Sequence, residues 1–568
     1  MTAWRDGLRH LFQQEMRALR EEGAVLARDY PEAAGLLDPA RTEDRDPLVE
    51  RMLESFAFLS ARVRQTVSID DAALAEVLLE LVEDGLDETL PSVAIVQARN
   101  RPGRPLPVRV AACEALRLGG PSPRGWRFEL RRELVVSPLE IAQAAVEIDD
   151  RGRSHVEIEL RRPDPERDPW PDPVVLYLHG DDPVVWSVRH GLCRRTESVE
   201  QMAGGAWIPV PDVGFRPFRT PGCSDDRHVH PLSEARDFLC VDERFRFVEL
   251  HGLSGLGAGS ALRLRAHLRG TFPRAVARAV SADVLRTHCA VAVNRYEESC
   301  QGLVWDHTRT EVPLHPPEGS EFLRAGEVRG ERRAPDGSTI RTRFEPFSRH
   351  AHGSGDGPGN PVHRIRRART SGGGIRTRLA LGWPDSKSEL APESVVVQGW
   401  FCDGNRPHDD GAPREARPIS PELSRDLEFQ ALARPTQAFR PPARIAPRTR
   451  FLTLAAVHFE GLLEARRLRD ALRLFLWDPA ESKRTLVDSI HEVVRTEESS
   501  LSEGVAAPLL RVVFRLRDTT CTPDTWERLG LLDAFGSVLA RLAEEETPLG
   551  FRTRTTVVVE PCGVEFEY

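Results

Sequence analysis

The sequence predicts an α+β protein in three parts: an N-terminal helical segment, a multi-domain β-rich middle with short strands and long loops, and a C-terminal part that is helical and then α/β. Three observations support this prediction. The chain has 568 residues, more than one compact core holds at roughly 150 residues per domain. Apolar residues recur at helical spacing near both ends of the chain. Between the ends, short runs alternate between apolar and polar residues, as strands do.

Residues 1–90 form the predicted helical segment. Apolar residues three or four positions apart share one face of the first helix: Leu8, Phe12, Met16 and Leu19. Pro31 ends this helix. Asp46-Pro47 caps a second helix, because a proline at the first helical position loses no hydrogen bond. The second helix carries its own apolar stripe: Leu48, Met52, Phe56, Leu59, Val63 and Val67. A third helix is predicted from about residue 70 to residue 88.

Two β-rich segments follow, over residues 91–330 and 331–440. Runs such as 174–178 and 245–250 have strand-like composition and end at clusters of Pro, Gly and Asp. The second segment contains a Gly-rich stretch at about residues 350–374. We predict a flexible loop there, because this composition cannot bury enough surface to offset its ordering entropy. A Pro-rich linker over residues 434–447 follows.

Residues 441–568 are predicted to begin with helices and to end in an α/β unit. Apolar spacing indicates one helix over residues 451–474 and another over about residues 478–498. A strand (509–516), a helix (about 523–546) and a last strand (552–560) complete the predicted order.

The charge balance argues against a nucleic-acid-binding protein. The chain has 87 acidic and 78 basic residues and a net charge of −9, whereas binding to phosphate backbones requires concentrated positive charge. Lys387 and Lys483 are the only lysines, so arginine supplies 76 of the basic residues. Arginine suits interfacial pairing with carboxylates. A GC-rich coding sequence, which favours Arg, Ala, Gly and Pro, is the main explanation for this excess. If the chain is a scaffold, much of the arginine should also lie at subunit boundaries, paired with Asp and Glu.

The sequence also predicts a cytoplasmic protein without direct membrane insertion. It contains no apolar run of the roughly 18 residues that a membrane span needs, and no apolar signal segment follows Met1. Nine cysteines are scattered along the chain without a C-x-x-C pair. This pattern is typical of reduced thiols and predicts neither a disulfide framework nor a zinc site.

No motif indicates an enzyme. The Gly-rich run at 254–260 lacks the third glycine of a dinucleotide loop and precedes a strand-like run, which favours a β-turn. His228 and His230 could face one side of a strand, but they lack a clear third metal ligand. Neither lysine lies in a Gly-rich loop, which excludes a P-loop. We therefore expect no catalytic residues, no cofactor and no bound metal.

The N-terminal helices are the candidate partner interface. They precede a β-rich region that looks autonomous, and an apolar helical stripe is commonly buried against helices of another chain. The alternative is that the same residues form intramolecular core. Interface energy usually concentrates in a few aromatic and arginine anchors. The candidate residues are Trp4, Leu8, Phe12, Met16, Leu19, Phe56, Phe58 and Arg62.

Several short motifs occur in one order between residues 12 and 475. They are Phe12-x-x-Glu15, Ala27-Arg-Asp-Tyr-Pro31, Ser55-Phe-Ala-Phe-Leu-Ser-Ala-Arg62, Leu176-Tyr-Leu-His-Gly-Asp181, Phe245-Arg-Phe-Val-Glu-Leu-His-Gly-Leu253, Asp306-His-Thr-Arg-Thr-Glu311 and Arg434-Pro-Thr436. Together they resemble the type VI secretion baseplate family TssF, also called ImpG or VasA. The C-terminal strand-helix-strand region has lost most of the family pattern, and the Gly-rich stretch at 350–374 looks specific to this chain.

The resemblance implies a structural, non-enzymatic subunit of a baseplate wedge. It implies two copies of this chain with one TssG subunit, six such wedges around a spike, and contacts with TssE, TssK and the VgrG spike. The wedge would dock on the inner-membrane secretion complex and start sheath and tube assembly. A related phage-tail-like contractile injection system is the near alternative. A β-rich polysaccharide-acting hydrolase is the alternative from another class, and it would need two carboxylates roughly 5–10 Å apart in a groove.

Overall fold

The computed structural model confirms the α+β class, with helices at the N-terminus, a β-rich middle and further helices towards the C-terminus. Contacts divide the chain into two compact units, Met1–Val82 with Arg444–Ala455 and Glu83–Ala443 with Ala456–Tyr568. The four-part division of the chain stays a prediction. The structure describes residues 2–29, 51–64, 75, 78–79, 86, 88–101, 107–119, 125–163, 170–219, 232–257, 259–334, 336–347, 361–369, 375–382, 392–410, 415–442, 447–477, 480–502 and 505–568.

The first unit contains the predicted N-terminal helices. Helix α1 covers Thr2–Asp29, and residues 51–64 form a second helix, α2. Both lie where the apolar spacing predicts them. Most of the predicted third helix, at about 70–88, lies outside the described residues.

A closed barrel of six antiparallel strands opens the second unit. The strands are β1 (Val93–Asn100), β3 (Ala115–Leu118), β4 (Trp126–Leu130), β15 (Cys289–Val293), β23 (Glu415–Pro418) and β24 (Leu427–Ala431), in the order β1-β15-β4-β3-β23-β24. A two-stranded sheet, β2 (Val108–Val110) with β5 (Leu134–Val136), contributes to the same core. Val96 of β1 faces the barrel core, whereas Ile95 faces a second cluster with Phe247 and Phe439. Burial on both faces explains why residues 93–96 of β1 are continuously apolar instead of alternating.

Two further sheets pack around one hydrophobic core. One contains β6 (Glu140–Ile148), β7 (Ser154–Arg161), β9 (Thr196–Ala203), β10 (Ala206–Pro209) and β13 (Ala261–Leu268), and the other contains β8 (Val174–Leu178), β11 (Gly214–Pro217), β12 (Phe247–His251) and β14 (Leu285–Thr287). The shared core takes in Ile158, Leu176, Leu250 and Leu264. The Gly-rich run at 254–260 joins β12 to β13, so a strand follows it, as the alternating pattern predicts.

A seven-stranded sheet follows, in the order β16-β22-β18-β19-β20-β21-β17. Its strands are β16 (Tyr296–Trp305), β17 (Glu311–Pro313), β18 (Glu321–Arg333), β19 (Thr339–Pro346), β20 (Val362–Arg369), β21 (Ile375–Gly382) and β22 (Glu393–Cys402). Strand β20 lies inside the stretch predicted as a flexible loop, so that prediction is wrong over these residues. His363 is buried and Ile365 packs on the core, while β20 pairs with β21 along its whole length. Pairing with β21 and burial of these side chains offset the entropy cost of ordering this strand, which the local composition alone could not do.

The C-terminal sheet combines antiparallel and parallel pairing. It contains β25 (Ile490–Ser502), β26 (Val505–Arg517), β27 (Arg552–Glu560) and β28 (Val564–Glu567). Strands β26 and β27 are parallel, and the crossover between them contains the long helix α11 (Trp526–Glu545). This is the predicted strand-helix-strand order.

The remaining helices are short. They are α3 (Asp182–His190), α4 (Leu232–Cys240), α5 (Arg274–Ala277), α6 (Arg406–Asp409), α7 (Pro421–Asp426), α8 (Pro447–Glu460), α9 (Ala465–Arg473) and α10 (Glu481–Ser489). The predicted helix at 478–498 is therefore wrong beyond Ser489, where β25 begins. Residues 490–502 pair with β26 at twelve positions, and this long-range pairing overrides the local helix preference of Glu and Arg.

Helices α3 and α11 approach each other at a glycine. A Cβ placed on Gly530 would lie 2.1 Å from the carbonyl oxygen of Trp186. Trp186 is almost fully buried, so its backbone has no room to move away. The contact therefore requires a residue without a side chain at position 530.

We predict that Gly530→Ala destabilises the protein by about 1–3 kcal/mol, the usual cost of overpacking. Helix propensity alone gives the opposite sign, since Ala is favoured over Gly in a helix by about 1 kcal/mol. The unfolding midpoint in urea measures the outcome. Gly255→Ala is the matched control, because a Cβ at Gly255 meets nothing within 4 Å. Equal midpoints for the two variants would contradict the close approach.

Burial of His190 makes stability depend on pH. His190 is 1% exposed, and its Nε2 accepts a hydrogen bond from Nε of Arg195 at 3.1 Å. Burial lowers the pKa of His190 to about 3. The folded protein therefore holds this histidine neutral, whereas the unfolded chain takes up a proton near pH 6.5.

We predict that the free energy of unfolding is highest above pH 6.5 and falls below it. The unfolded state binds the extra proton between pH 6.5 and about 3, so His190 removes up to about 1.4 kcal/mol per pH unit in that range. Thermal melts at pH 7.5, 6.5 and 5.5 measure this, with His10, on the exposed side of α1, providing the control variant His10→Gln. The pH dependence should be unchanged in His10→Gln and weaker in His190→Gln. Identical dependence in all three proteins would rule out His190 as the titrating group.

Candidate partner interface

Glu15 of α1 links helix α1 to helix α2. Glu15 of α1 accepts a hydrogen bond from Oγ of Ser60 at 2.7 Å and forms an ion pair with Arg64 of α2. Hydrogen bonds from Arg64 and Ser60 lower the pKa of Glu15. Ala57 and Ala61, one turn apart on α2, are fully buried. The side of α2 that packs within the chain is therefore its small-residue side.

The apolar stripe of α2 faces outwards instead. Met52, Phe56 and Leu59 are each 59% exposed, and Val63 is 63% exposed. Their spacing of four, three and four residues places them on one helical face. Fully burying a side chain of this size contributes about 1.5–3 kcal/mol, so leaving more than half of each in water forgoes several kcal/mol. A contiguous exposed apolar stripe of this kind is a candidate interaction site.

Two open grooves lie along this stripe. One, of about 440 Å³, is lined by Arg51, Met52, Ser55, Phe56 and Leu59. The other, of about 500 Å³, is lined by Phe12 of α1 and by Glu54, Ser55, Phe58 and Leu59 of α2. Both grooves are mainly apolar with a charged residue at the edge, which suits the apolar face of a partner helix.

The predicted interface residues divide into three groups. Phe56, Phe58 and Arg62 are exposed, and Phe12 and Leu19 are partly buried. Met16 is 8% exposed and so belongs to the interior of this unit. Trp4 and Leu8 lie within α1, but their side chains are outside the described part of the structure. The assignment of these residues to a partner interface stays a prediction.

Sequence reasoning missed the buried side of α2. Ala57 and Ala61 are small residues four positions apart, a spacing that allows two helices to approach closely. That signal is present in the sequence, but the larger stripe beside it is more conspicuous. The stripe was interpretable as core or interface, and only the structure shows which side of α2 packs within the chain.

The polar residues that could suggest a catalytic or metal site take part in turns and ion pairs. Asp306 accepts hydrogen bonds from the amide and hydroxyl of Thr308 in a tight turn. His228 and His230 lie outside the described residues.

Nε2 of His155 lies 3.2 Å from Glu147 and 3.5 Å from Glu157, but Arg265 donates to the same Glu157 oxygen at 2.5 Å. A guanidinium next to this group disfavours a divalent cation there.

Two further expectations concern membrane and redox chemistry. Among the described helices, none combines the length and the apolar character needed to cross a bilayer. The described cysteines are free thiols, from the exposed Cys113 to the buried Cys240, Cys289, Cys300 and Cys402.

The architecture and the N-terminal helices match a known family over nearly the whole chain. The family model "Type VI secretion system, TssF" matches residues 4–561. The chain belongs to this TssF family. The resemblance stated from the short motifs is thereby confirmed, and the match extends through the C-terminal region where those motifs are lost.

Individual relatives are more distant. The type VI secretion system component TssF1 of Pseudomonas aeruginosa is 26% identical over 326 residues, which cover 51% of this chain and 51% of that protein. The matched segment therefore spans about half the length of this curated relative. A chain of a solved TssK-TssF-TssG baseplate subcomplex of the type VI secretion system has a TM-score of 0.70 at 22% identity, covering 92% of this chain and 98% of that one. A second, from a type VI baseplate complex, has a TM-score of 0.57 at 19% identity, covering 99% and 98%. These likenesses establish a shared fold.

We predict that the two sides of α2 respond differently to substitution. Ala61→Leu forces a larger side chain into a fully buried site and should destabilise the helix pair by about 1–3 kcal/mol. Val63→Ala, two residues away on the exposed stripe, should change stability by less than about 0.5 kcal/mol. Hydrogen exchange of the α1 and α2 amides reports this local stability. Equal loss of protection in both variants would contradict the assignment of the two sides.

Proposed function

We propose that the chain is a structural subunit of the type VI secretion baseplate wedge. The single observation that supports this most strongly is the outward-facing apolar stripe of α2 in a chain of the TssF family. A stripe of Met52, Phe56, Leu59 and Val63 gains its burial energy only against another surface. A helix of a partner subunit supplies such a surface.

TssG is the proposed occupant of this stripe, with two copies of this chain per TssG subunit. TssK is the second proposed partner, and the fold shared with a chain of the TssK-TssF-TssG baseplate subcomplex supports both. TssE and the VgrG spike are further proposed contacts. The proposed location is the cytoplasm, with the assembled wedge docked on the inner-membrane secretion complex, where it starts sheath and tube assembly.

A structural role is favoured over catalysis. Membership of the TssF family favours a wedge subunit over a β-rich hydrolase. It likewise favours type VI secretion over a related contractile injection system. We propose that the chain has no catalytic residues, no cofactor and no metal of its own.

We predict that Phe56→Asp abolishes the complex with TssG and leaves the fold intact. Phe56 is 59% exposed, so the charge costs little in the free chain but would be buried without a counter-ion in the complex. Co-expression with TssG followed by mass photometry should give a 2:1 complex for the wild type. The dissociation constant of Phe56→Asp should rise more than 100-fold, about 2.7 kcal/mol. Circular dichroism should be unchanged.

Leu549→Asp is the matched control, because Leu549 is fully exposed in the loop between α11 and β27. This variant should keep wild-type affinity. A wild-type chain that stays monomeric with TssG at micromolar concentration would refute the wedge role. A Phe56→Asp protein that still forms the full complex would refute only the assignment of the stripe.

A further inference from the structure

Two cysteines that are far apart in the sequence meet at one end of the C-terminal sheet. Cys521 lies in the loop between β26 and α11, and Cys562 lies in the turn between β27 and β28. The thiol of Cys562 donates to the sulfur of Cys521, and the two Sγ atoms are 3.7 Å apart. Cys521 is buried, whereas Cys562 is half-buried and therefore accessible to a small reagent.

The backbone around both cysteines is fixed independently of the sulfurs. The amide of Asp518 donates to the carbonyl of Glu560 at 2.8 Å, and the amide of Cys521 donates to the carbonyl of Asp518 at 3.2 Å. The guanidinium of Arg515 binds the Glu560 carboxylate at 2.9 Å. These bonds tie the loop after β26 to the turn after β27. The proximity of the two thiols therefore follows from the fold of the sheet.

The thiols differ in reactivity. Burial, and after it the neighbouring Cys562, together raise the pKa of Cys521 to about 12. A thiol that is protonated at neutral pH is a poor first nucleophile. Cys562 is consequently the sulfur that reacts first with an external disulfide, and Cys521 is placed to resolve the product.

We propose that Cys521 and Cys562 are an oxidative modification site that closes to an intramolecular disulfide by exchange with a low-molecular-weight disulfide. The thiolate of Cys562 attacks one sulfur of the reagent, forms a mixed disulfide and releases one small thiol. The Cys521 thiol then loses its proton to solvent and attacks the Cys562 sulfur, which releases the second small thiol. The reagent is reduced by two electrons and the protein is oxidised by two. The sulfurs close from 3.7 Å to about 2.05 Å.

The Cys521–Cys562 disulfide would restrain the C-terminal end of the second unit. It would join the loop before α11 to the turn that leads into β28, enclosing α11 and β27 between its ends. Strand β28 runs into Tyr568, whose hydroxyl donates to the side chain of Asp533 at 2.7 Å. Because the bond limits the opening of the β27–β28 turn, the oxidised protein should exchange the amides of this turn more slowly.

The test uses the purified full chain and oxidised glutathione as the reagent. After incubation, peptide mapping without reductant should recover a Cys521–Cys562 linked pair, about 2 Da lighter than the sum of the two reduced peptides. Hydrogen exchange in the β27–β28 turn should slow at least tenfold and return to its original rate with dithiothreitol. Cys521→Ser and Cys562→Ser should each abolish the linked pair. Cys113→Ser, at an exposed thiol outside this sheet, should not.

Two results would overturn the proposal. One is a stable glutathione adduct on Cys562 with Cys521 still reduced, which would mean that the sulfurs cannot close. The other is the absence of both the linked pair and the adduct. Serine is close to cysteine in size, and each single variant removes the same bond. Either one, checked for folding by circular dichroism, is therefore sufficient as the negative control.

Discussion

A buried carboxylate links the C-terminal α/β part to the β-rich part of the second unit. Asp533 of α11 is fully buried. It pairs with Arg189 at the end of α3, with Arg194 at 2.7 Å, and with the hydroxyl of Tyr568 after β28. Burial raises the pKa of Asp533, but the two guanidinium groups outweigh this and hold it below its ordinary value. Removing one partner of a buried pair typically costs 3–5 kcal/mol, because the remaining charge is left uncompensated. This explains why α11 and β28 belong to the same compact unit as α3, which lies more than 300 residues earlier.

Buried ion pairs of this kind account for part of the arginine-rich composition. Arginines were expected at subunit boundaries, yet several are interior. Arg236 and Arg244 are buried around Asp237. Half-buried arginines serve a second purpose: Cζ of Arg265 lies 4.0 Å from the ring centroid of Trp207, and its guanidinium also binds Glu157. A planar guanidinium can stack on a ring face and pair with a carboxylate at once. The fold therefore accounts for part of the arginine without any partner, and pairing at subunit boundaries stays a prediction for the remainder.

The sequence was most informative where local and long-range forces agree. Helix α1 and the strand-helix-strand order of β26, α11 and β27 could be predicted, because apolar periodicity and packing point to the same structure. Strands β20 and β25 could not. Their residues are polar, Gly-flanked or good helix formers, and they become strands only because β21 and β26 offer a complete edge for pairing. The proximity of Cys521 to Cys562 was equally invisible, since it arises from the parallel register of β26 with β27.

On α2 the fully buried residues are small, and most of the large apolar residues are exposed. Among the described residues of α2, Ala57 and Ala61 are fully buried, and Ser60 and Arg64 bind Glu15. Alanine brings little apolar surface to a core, and a salt bridge with an exposed arginine adds little in water. The large apolar residues, which could contribute several kcal/mol, are on the outward side. Under the proposed assignment of this stripe to a partner interface, the burial energy of α2 is gained on assembly, so that binding would stabilise the helix pair.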